Sequence, residues 1–138
     1  MKSFEQLHPA LRHHIVNTLR WGDLRATQRD AIAPIDAGDD VLLLAPTAGG
    51  KTEAAFLPLL SRAANQYWSG LSILYLCPLK ALLNNLEPRL SRYAGFVGRT
   101  VGVWHGDVGE PARKRMRARS GRQPHDAAVQ ESGTEAAN

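Results

Sequence analysis

Apolar and polar positions alternate in two rhythms along the chain. Three short runs are almost continuously apolar, at 41–45, 71–77 and 100–104, and each predicts a strand buried on both faces. Between and around them the spacing turns helical. Leu82, Leu83, Leu86 and Leu90 fall close to one face of a helix over 79–93, and Ala54, Ala55, Leu57, Leu59 and Leu60 do the same over 51–66. Pro58 interrupts the second pattern and predicts a kink or a freed carbonyl there. A further helix is expected at 110–119. Near the amino terminus, Ser3 and Gln6 have the spacing of a capping box, and Pro9 suits the first turn of a helix over 9–19. Thr27 reads as the N-cap of a short helix to residue 33, with Pro34 and Gly38 closing that region. Strand, helix, strand, helix, strand in this order predicts an α/β fold with a parallel sheet and flanking helices.

Composition narrows the class. Of 138 residues, 43% are hydrophobic and 22% charged, enough to build one core. No apolar run reaches membrane-spanning length, and the first residues do not resemble a signal peptide, so a cytoplasmic protein with no membrane partner is expected. Cys77 is the single cysteine, which excludes an internal disulfide framework and a cysteine-rich zinc site; it is expected as a small buried strand residue. His13 and His14 are adjacent, a spacing unsuited to a metal site. Trp104 ends the third apolar run and is expected in the core, and Trp68 is expected as a partly buried contact at a helix end. The net charge of +4 is unevenly placed: Arg113, Lys114, Arg115, Arg117 and Arg119 crowd into seven residues. Such a cluster suits a polyanion, although on charge alone a solvated helix face is the simpler reading. Residues 120–138 hold no apolar side chain larger than Val, which predicts a disordered tail.

The most specific chemical signal is Ala45-Pro46-Thr47-Ala48-Gly49-Gly50-Lys51-Thr52, placed between a predicted strand and a predicted helix. It matches the second half of a phosphate-binding loop, with Ala45 where the first glycine usually stands. Gly49 and Gly50 let successive N–H groups turn toward phosphate oxygens, and the following helix adds its positive end. Lys51 is then expected to reach the β- and γ-phosphates, with the Thr52 hydroxyl on Mg²⁺. The expected nucleotide-binding set is Thr47, Ala48, Gly49, Gly50, Lys51, Thr52 and Glu53, with ATP and Mg²⁺ as cofactors; Lys51 and Thr52 carry the catalytic expectation.

Ala45–Ala55, running on through Phe56-Leu57-Pro58, resembles motif I of superfamily 2 helicases, in particular the DEAD/DEAH-box group of large helicase-related (Lhr-type) proteins. Three further stretches follow the family order. Thr27-Gln28 resembles the Q motif, Pro78-Leu79-Lys80-Ala81-Leu82 resembles motif Ia, and Val101–Asp107 resembles the strand and loop after it. The resemblance implies a P-loop NTPase with a RecA-like sheet, incomplete in this chain, over residues 1–119. It implies that Gln28 selects adenine, with Phe4 and Trp21 as the aromatic candidates beside it. It also implies that Pro78, Lys80, Ala81, His105 and Gly106 meet the backbone of DNA or RNA, single-stranded in these enzymes.

An acidic motif that holds Mg²⁺ and orients water, and the second domain that supplies arginine fingers, are features of the family with no match in this sequence. ATP binding without turnover is therefore expected of the chain alone, and the carboxy-terminal helicase portion is its missing partner. Family resemblance continues to Pro124-His125-Asp126 and stops at Ala127, so 120–138 reads as a disordered or non-native tail, of the kind a frameshift produces. Two other readings compete: a catalytically inactive nucleic-acid-binding module, and a different P-loop enzyme such as a small-molecule kinase.

Overall fold

The structure, a computed structural model, describes residues 2–46 and 48–120. Six helices follow one another: α1 (Lys2–Glu5), α2 (Pro9–Asn17), α3 (Ala26–Ala37), α4 (Lys51–Asn65), α5 (Lys80–Gly95) and α6 (Glu110–Ser120). The helices predicted from spacing are all present, with boundaries shifted by local chemistry. Pro9 opens α2, and the His8 ring accepts from the Ala10 N–H at 3.2 Å. Arg25, not Thr27, is the N-cap of α3. That helix also runs past Pro34 and ends where Gly38 turns left-handed and bonds back to Pro34 and Ile35. A proline removes one donor, and neighbouring turns carry the helix across the gap; α4 crosses Pro58 and α5 crosses Pro88 in the same way.

The parallel sheet expected from the sequence is not formed. Among the described residues there is no strand, and no backbone hydrogen bond joins the runs at 41–45, 71–77 and 100–104. The runs at 41–45 and 100–104 alternate in exposure from Leu42 and Thr100 onward, whereas in 71–77 Leu74, Tyr75 and Leu76 are all exposed. Leu43 packs against Ala31, Ile35 and Ala54, whereas Leu42 and Leu44 are each 82% exposed. Ile73 and Val101 pack against the main core, whereas Leu74 and Leu76 face solvent. A sheet needs a second backbone about 4.8 Å away along the hydrogen-bonding direction. Here each run places apolar side chains on the helical core, and no ladder hydrogen bond links one run to another. The fold is therefore helical, with three unpaired extended segments. Cys77 accordingly lies in no strand and is only half-buried.

The main core lies where α2, α3, α4 and α5 converge, with Leu11, Ile15, Ile32, Leu57, Leu60, Leu86, Leu90 and Tyr93 buried together. The principal helix contact is α3 against α4, and α4 also touches α5. Two cationic side chains tie loops to this core. Arg62 reaches the Ile35 carbonyl at 3.3 Å and lies over the Trp68 ring, which is half-buried at the end of α4 as expected. Arg99 donates to the carbonyls of Ala63 and Trp68 and to the Ser72 hydroxyl, at 2.9, 2.5 and 2.8 Å. Burial lowers its pKa from the ordinary value. Phe4 and Trp21, the aromatic candidates for adenine, both pack against the core, with Trp21 edge-on to Tyr93. The tail expected at 120–138 lies, past Ser120, outside the described residues, as does Thr47. No helix among the described residues is long and apolar enough to cross a membrane.

Candidate functional site

The loop between the first extended run and α4 is shaped by three backbone features. Ala48 and Gly50 take left-handed φ values of 62° and 77°. The Gly49 N–H bonds back to the Pro46 carbonyl at 2.9 Å. Neither glycine has room for a side chain: a Cβ on Gly49 would stand 2.8 Å from the Pro46 oxygen, and one on Gly50 2.6 Å from Gln28 Nε2. Alternating left- and right-handed residues turn N–H groups to one side, which is the geometry of an anion-binding nest. Gly50 caps α4 without any side-chain acceptor, so the first amides of that helix remain available to a negative group.

Lys51 closes the loop on itself. Its ammonium donates to the carbonyls of Ala45 at 2.5 Å and Pro46 at 2.8 Å. A cation held at the mouth of a nest is poised to exchange neutral carbonyl oxygens for charged phosphate oxygens, which form stronger hydrogen bonds. Thr52 follows on the first turn of α4, half-buried. No group of three or more His, Cys, Asp or Glu that could hold a metal is found among the described residues.

Gln28 is 5% exposed and stands directly against this loop. Its Oε1 accepts from the Arg25 N–H at 3.0 Å, an arrangement that starts α3 and aims Nε2 toward Gly50. Arg25 itself donates to the Ala48 carbonyl. Sequence reasoning missed Arg25, whose only signal was its place three residues before Gln28.

Glu53, expected among the nucleotide ligands, points the other way. It is buried at 7% exposure, pairs with Arg89 Nε at 3.3 Å and accepts from the Tyr93 hydroxyl at 3.2 Å. Burial, and then the neighbouring carboxylate, push the Tyr93 phenol up to about 12. Glu53 thus links α4 to α5.

The second group of expected residues gathers at the start of α5. Pro78 and Ala81 are exposed, and Lys80 donates to Asp107 Oδ2 at 2.8 Å. That hydrogen bond holds the Asp107 carboxyl below the usual carboxylate range. The Asp107 N–H bonds the His105 ring at 3.2 Å, and Arg113 of α6 donates to the carbonyls of His105 and Gly106 at 3.1 Å each. The structure thus brings Lys80, His105 and Gly106 together, with Asp107 and Arg113 as partners that the motif did not reveal. Trp104, expected in the core, is 50% exposed instead, and the guanidinium groups of Arg113 and Arg117 each lie 5.3 Å from its ring centre. Its run has no sheet to bury its other face, so the indole stays at the surface.

The stretch of chain that holds this loop, Gln28 and Lys80 also matches a protein-family profile. The DEAD/DEAH box helicase profile matches residues 25–129, and the chain belongs to that family. Among curated relatives, an Lhr helicase of Mycolicibacterium smegmatis is 36% identical over 104 residues, covering 64% of this chain and 7% of that protein. An ATP-dependent helicase Lhr-Core of Methanocaldococcus jannaschii is 40% identical over 68 residues, 46% of this chain and 8% of that protein. The ATP-dependent RNA helicase DBP9 of Coccidioides immitis is 30% identical over 107 residues, 72% of this chain and 17% of that protein. The chain therefore spans less than a fifth of the length of these relatives. No solved structure matches it.

Proposed function

We propose that the chain is the ATP-binding amino-terminal part of an ATP-dependent DNA or RNA helicase. The observation that carries this reading is the loop at 45–52. Two glycines there leave no space for a Cβ, and the Lys51 ammonium waits on carbonyl oxygens beside the uncapped start of α4. Ala48, Gly49 and Gly50, with Thr47 in the same motif, would hold the phosphates. Lys51 would exchange the carbonyls of Ala45 and Pro46 for the β- and γ-phosphates, and Thr52 would hold Mg²⁺. Gln28 supplies the adenine contact from its position against Gly50. Glu53 supports the set from behind, by fixing α4 on α5.

Lys80, with Pro78, Ala81, His105 and Gly106, meets the phosphate backbone of single-stranded nucleic acid, a contact that positions a strand without reading its bases. Turnover needs an acidic group on the metal and an arginine on the transferring phosphoryl group. Localisation follows the family reading: a cytoplasmic protein acting with the remaining helicase portion.

Titration calorimetry of the full chain with Mg·ATP tests this. Heat with ATP, less with GTP and none in Lys51→Ala, is the expected pattern. Absence of heat in the wild-type chain overturns the reading.

A further inference from the structure

The basic excess of this protein sits on one helix. Between Glu110 and Ser120, α6 carries five of the seventeen Lys and Arg residues and one of the thirteen acidic ones, which leaves twelve of each sign for the rest of the sequence. Little of that charge is neutralised. Arg117 meets Glu110 at 3.6 Å, Arg113 is bonded to the His105 and Gly106 carbonyls, and Lys114, Arg115 and Arg119 make no ion pair among the described residues. Charge of this density on its own describes a solvated helix equally well.

Two observations separate this helix from that bland case. The first is Trp104, half-exposed with two guanidinium groups over its ring. A base that took the place of the Arg117 guanidinium would stack on this half-exposed indole beside phosphate-binding groups, the combination that single strands use, since every base can stack and every nucleotide carries a phosphate. The second is continuity. Arg113 fastens α6 to the His105–Gly106 turn, and Asp107 of that turn is bonded to Lys80. Beside it, a shallow recess of about 230 Å³ lies between Val103 and α6, lined by Arg115, Met116 and Arg119.

We propose that Trp104 and the cationic face of α6 form a stacking ledge that extends the Lys80 contact along a single nucleic-acid strand. Trp104 stacks on a base, Arg117 flanks it, and Lys114, Arg115 and Arg119 hold phosphates. This ledge rests on the helicase reading for its ligand, yet it makes its own demand on Trp104 and the cations of α6.

The test uses the full chain and a fluorescein-labelled single-stranded oligonucleotide of thymidines at low salt, followed by anisotropy and by indole emission. Wild-type protein is expected to bind with quenching of tryptophan emission. Trp104→Phe is expected to keep most of the affinity, because phenyl also stacks, and to lose the quenching. Arg115→Gln with Arg119→Gln is expected to weaken binding at least tenfold. It should also make the salt dependence shallower, by about 0.7 in log–log slope per phosphate contact removed. Thermal melts show that each variant is folded. Binding that is unaltered in the double arginine variant, or quenching that survives Trp104→Phe, overturns the proposal while leaving the Lys80 contact standing. Equal binding of heparin with no quenching by the oligonucleotide also overturns it, since the face is then a generic polyanion site. Failure of the wild-type chain to bind any oligonucleotide overturns ledge and Lys80 contact together, and calorimetry with Mg·ATP still reports separately on the nucleotide loop.

Discussion

The Tyr93 hydroxyl donates to Glu53 at 3.2 Å, and through this bond the helix that begins at the phosphate loop is locked to the helix that begins at Lys80. Tyr93 is 4% exposed, and its phenol is raised from 10.0 to about 12 by burial first and the Glu53 charge second. The raised value favours the protonated form in the folded state. Its stabilisation is complete below pH 10 and is lost as the pH climbs from 10 toward 12, because only the unfolded chain ionises there. Denaturant unfolding across that window is expected to show a steeper fall for the wild-type chain than for Tyr93→Phe. Parallel curves would refute the coupling.

Gly50 and Gly98 offer a matched pair of left-handed glycines, with φ of 77° and 70°. A Cβ at Gly98 meets open space, whereas one at Gly50 meets Gln28 Nε2 at 2.6 Å. Both alanine variants are expected to lose about 1–2 kcal/mol of stability from left-handed strain. Gly50→Ala alone should also lose Mg·ATP binding, by tenfold or more in calorimetric affinity. Equal nucleotide affinity in the two variants would count against the nest.

Leu57 and Leu42 separate the helical core from the unpaired runs. Leu57 is 2% exposed and Leu42 is 82% exposed. Replacement of Leu57 by Ala is expected to cost about 2–5 kcal/mol in chemical denaturation, the usual range for a buried leucine. The same change at Leu42 should stay within about 0.5 kcal/mol. A large loss at Leu42 would show that its run is buried in a sheet after all.

Leu44 and Leu76 lie on two of these runs, each 82% exposed, beside backbone groups with no ladder partner. Apolar extended edges of this kind invite a second copy of the chain. Sedimentation velocity is expected to show concentration-dependent association, reduced in a Leu44→Lys, Leu76→Lys variant. A monomer at all concentrations in the wild type contradicts this.

Helix content was legible because it is a local property. The spacing of Leu86 and Leu90 and the start at Pro9 act within a few residues, and α2, α4, α5 and α6 appear close to where those signals place them, whereas α3 runs on past the end expected at residue 33. The nest was legible for the same reason: Gly49-Gly50-Lys51 can be read from consecutive letters. Sheet pairing is not local. The runs at 41–45, 71–77 and 100–104 have the letters of buried strands, but a letter pattern carries no guarantee that another backbone pairs with it, and here no hydrogen bond joins one run to another. The same gap explains the error at Trp104 and at Cys77, both assigned to a core that needed a sheet to close it.

From residues alone, the protein's family, the glycine turn before α4 and the position of every substantial helix could be read, because each depends on spacing or on short motifs. Tertiary structure alone decided which side chains meet: Arg25 on the Ala48 carbonyl, Glu53 with Arg89 and Tyr93, Lys80 with Asp107, and Trp104 under Arg113 and Arg117. These contacts join residues up to 40 positions apart, and no periodicity encodes an approach of that range; it follows only from how the helices pack.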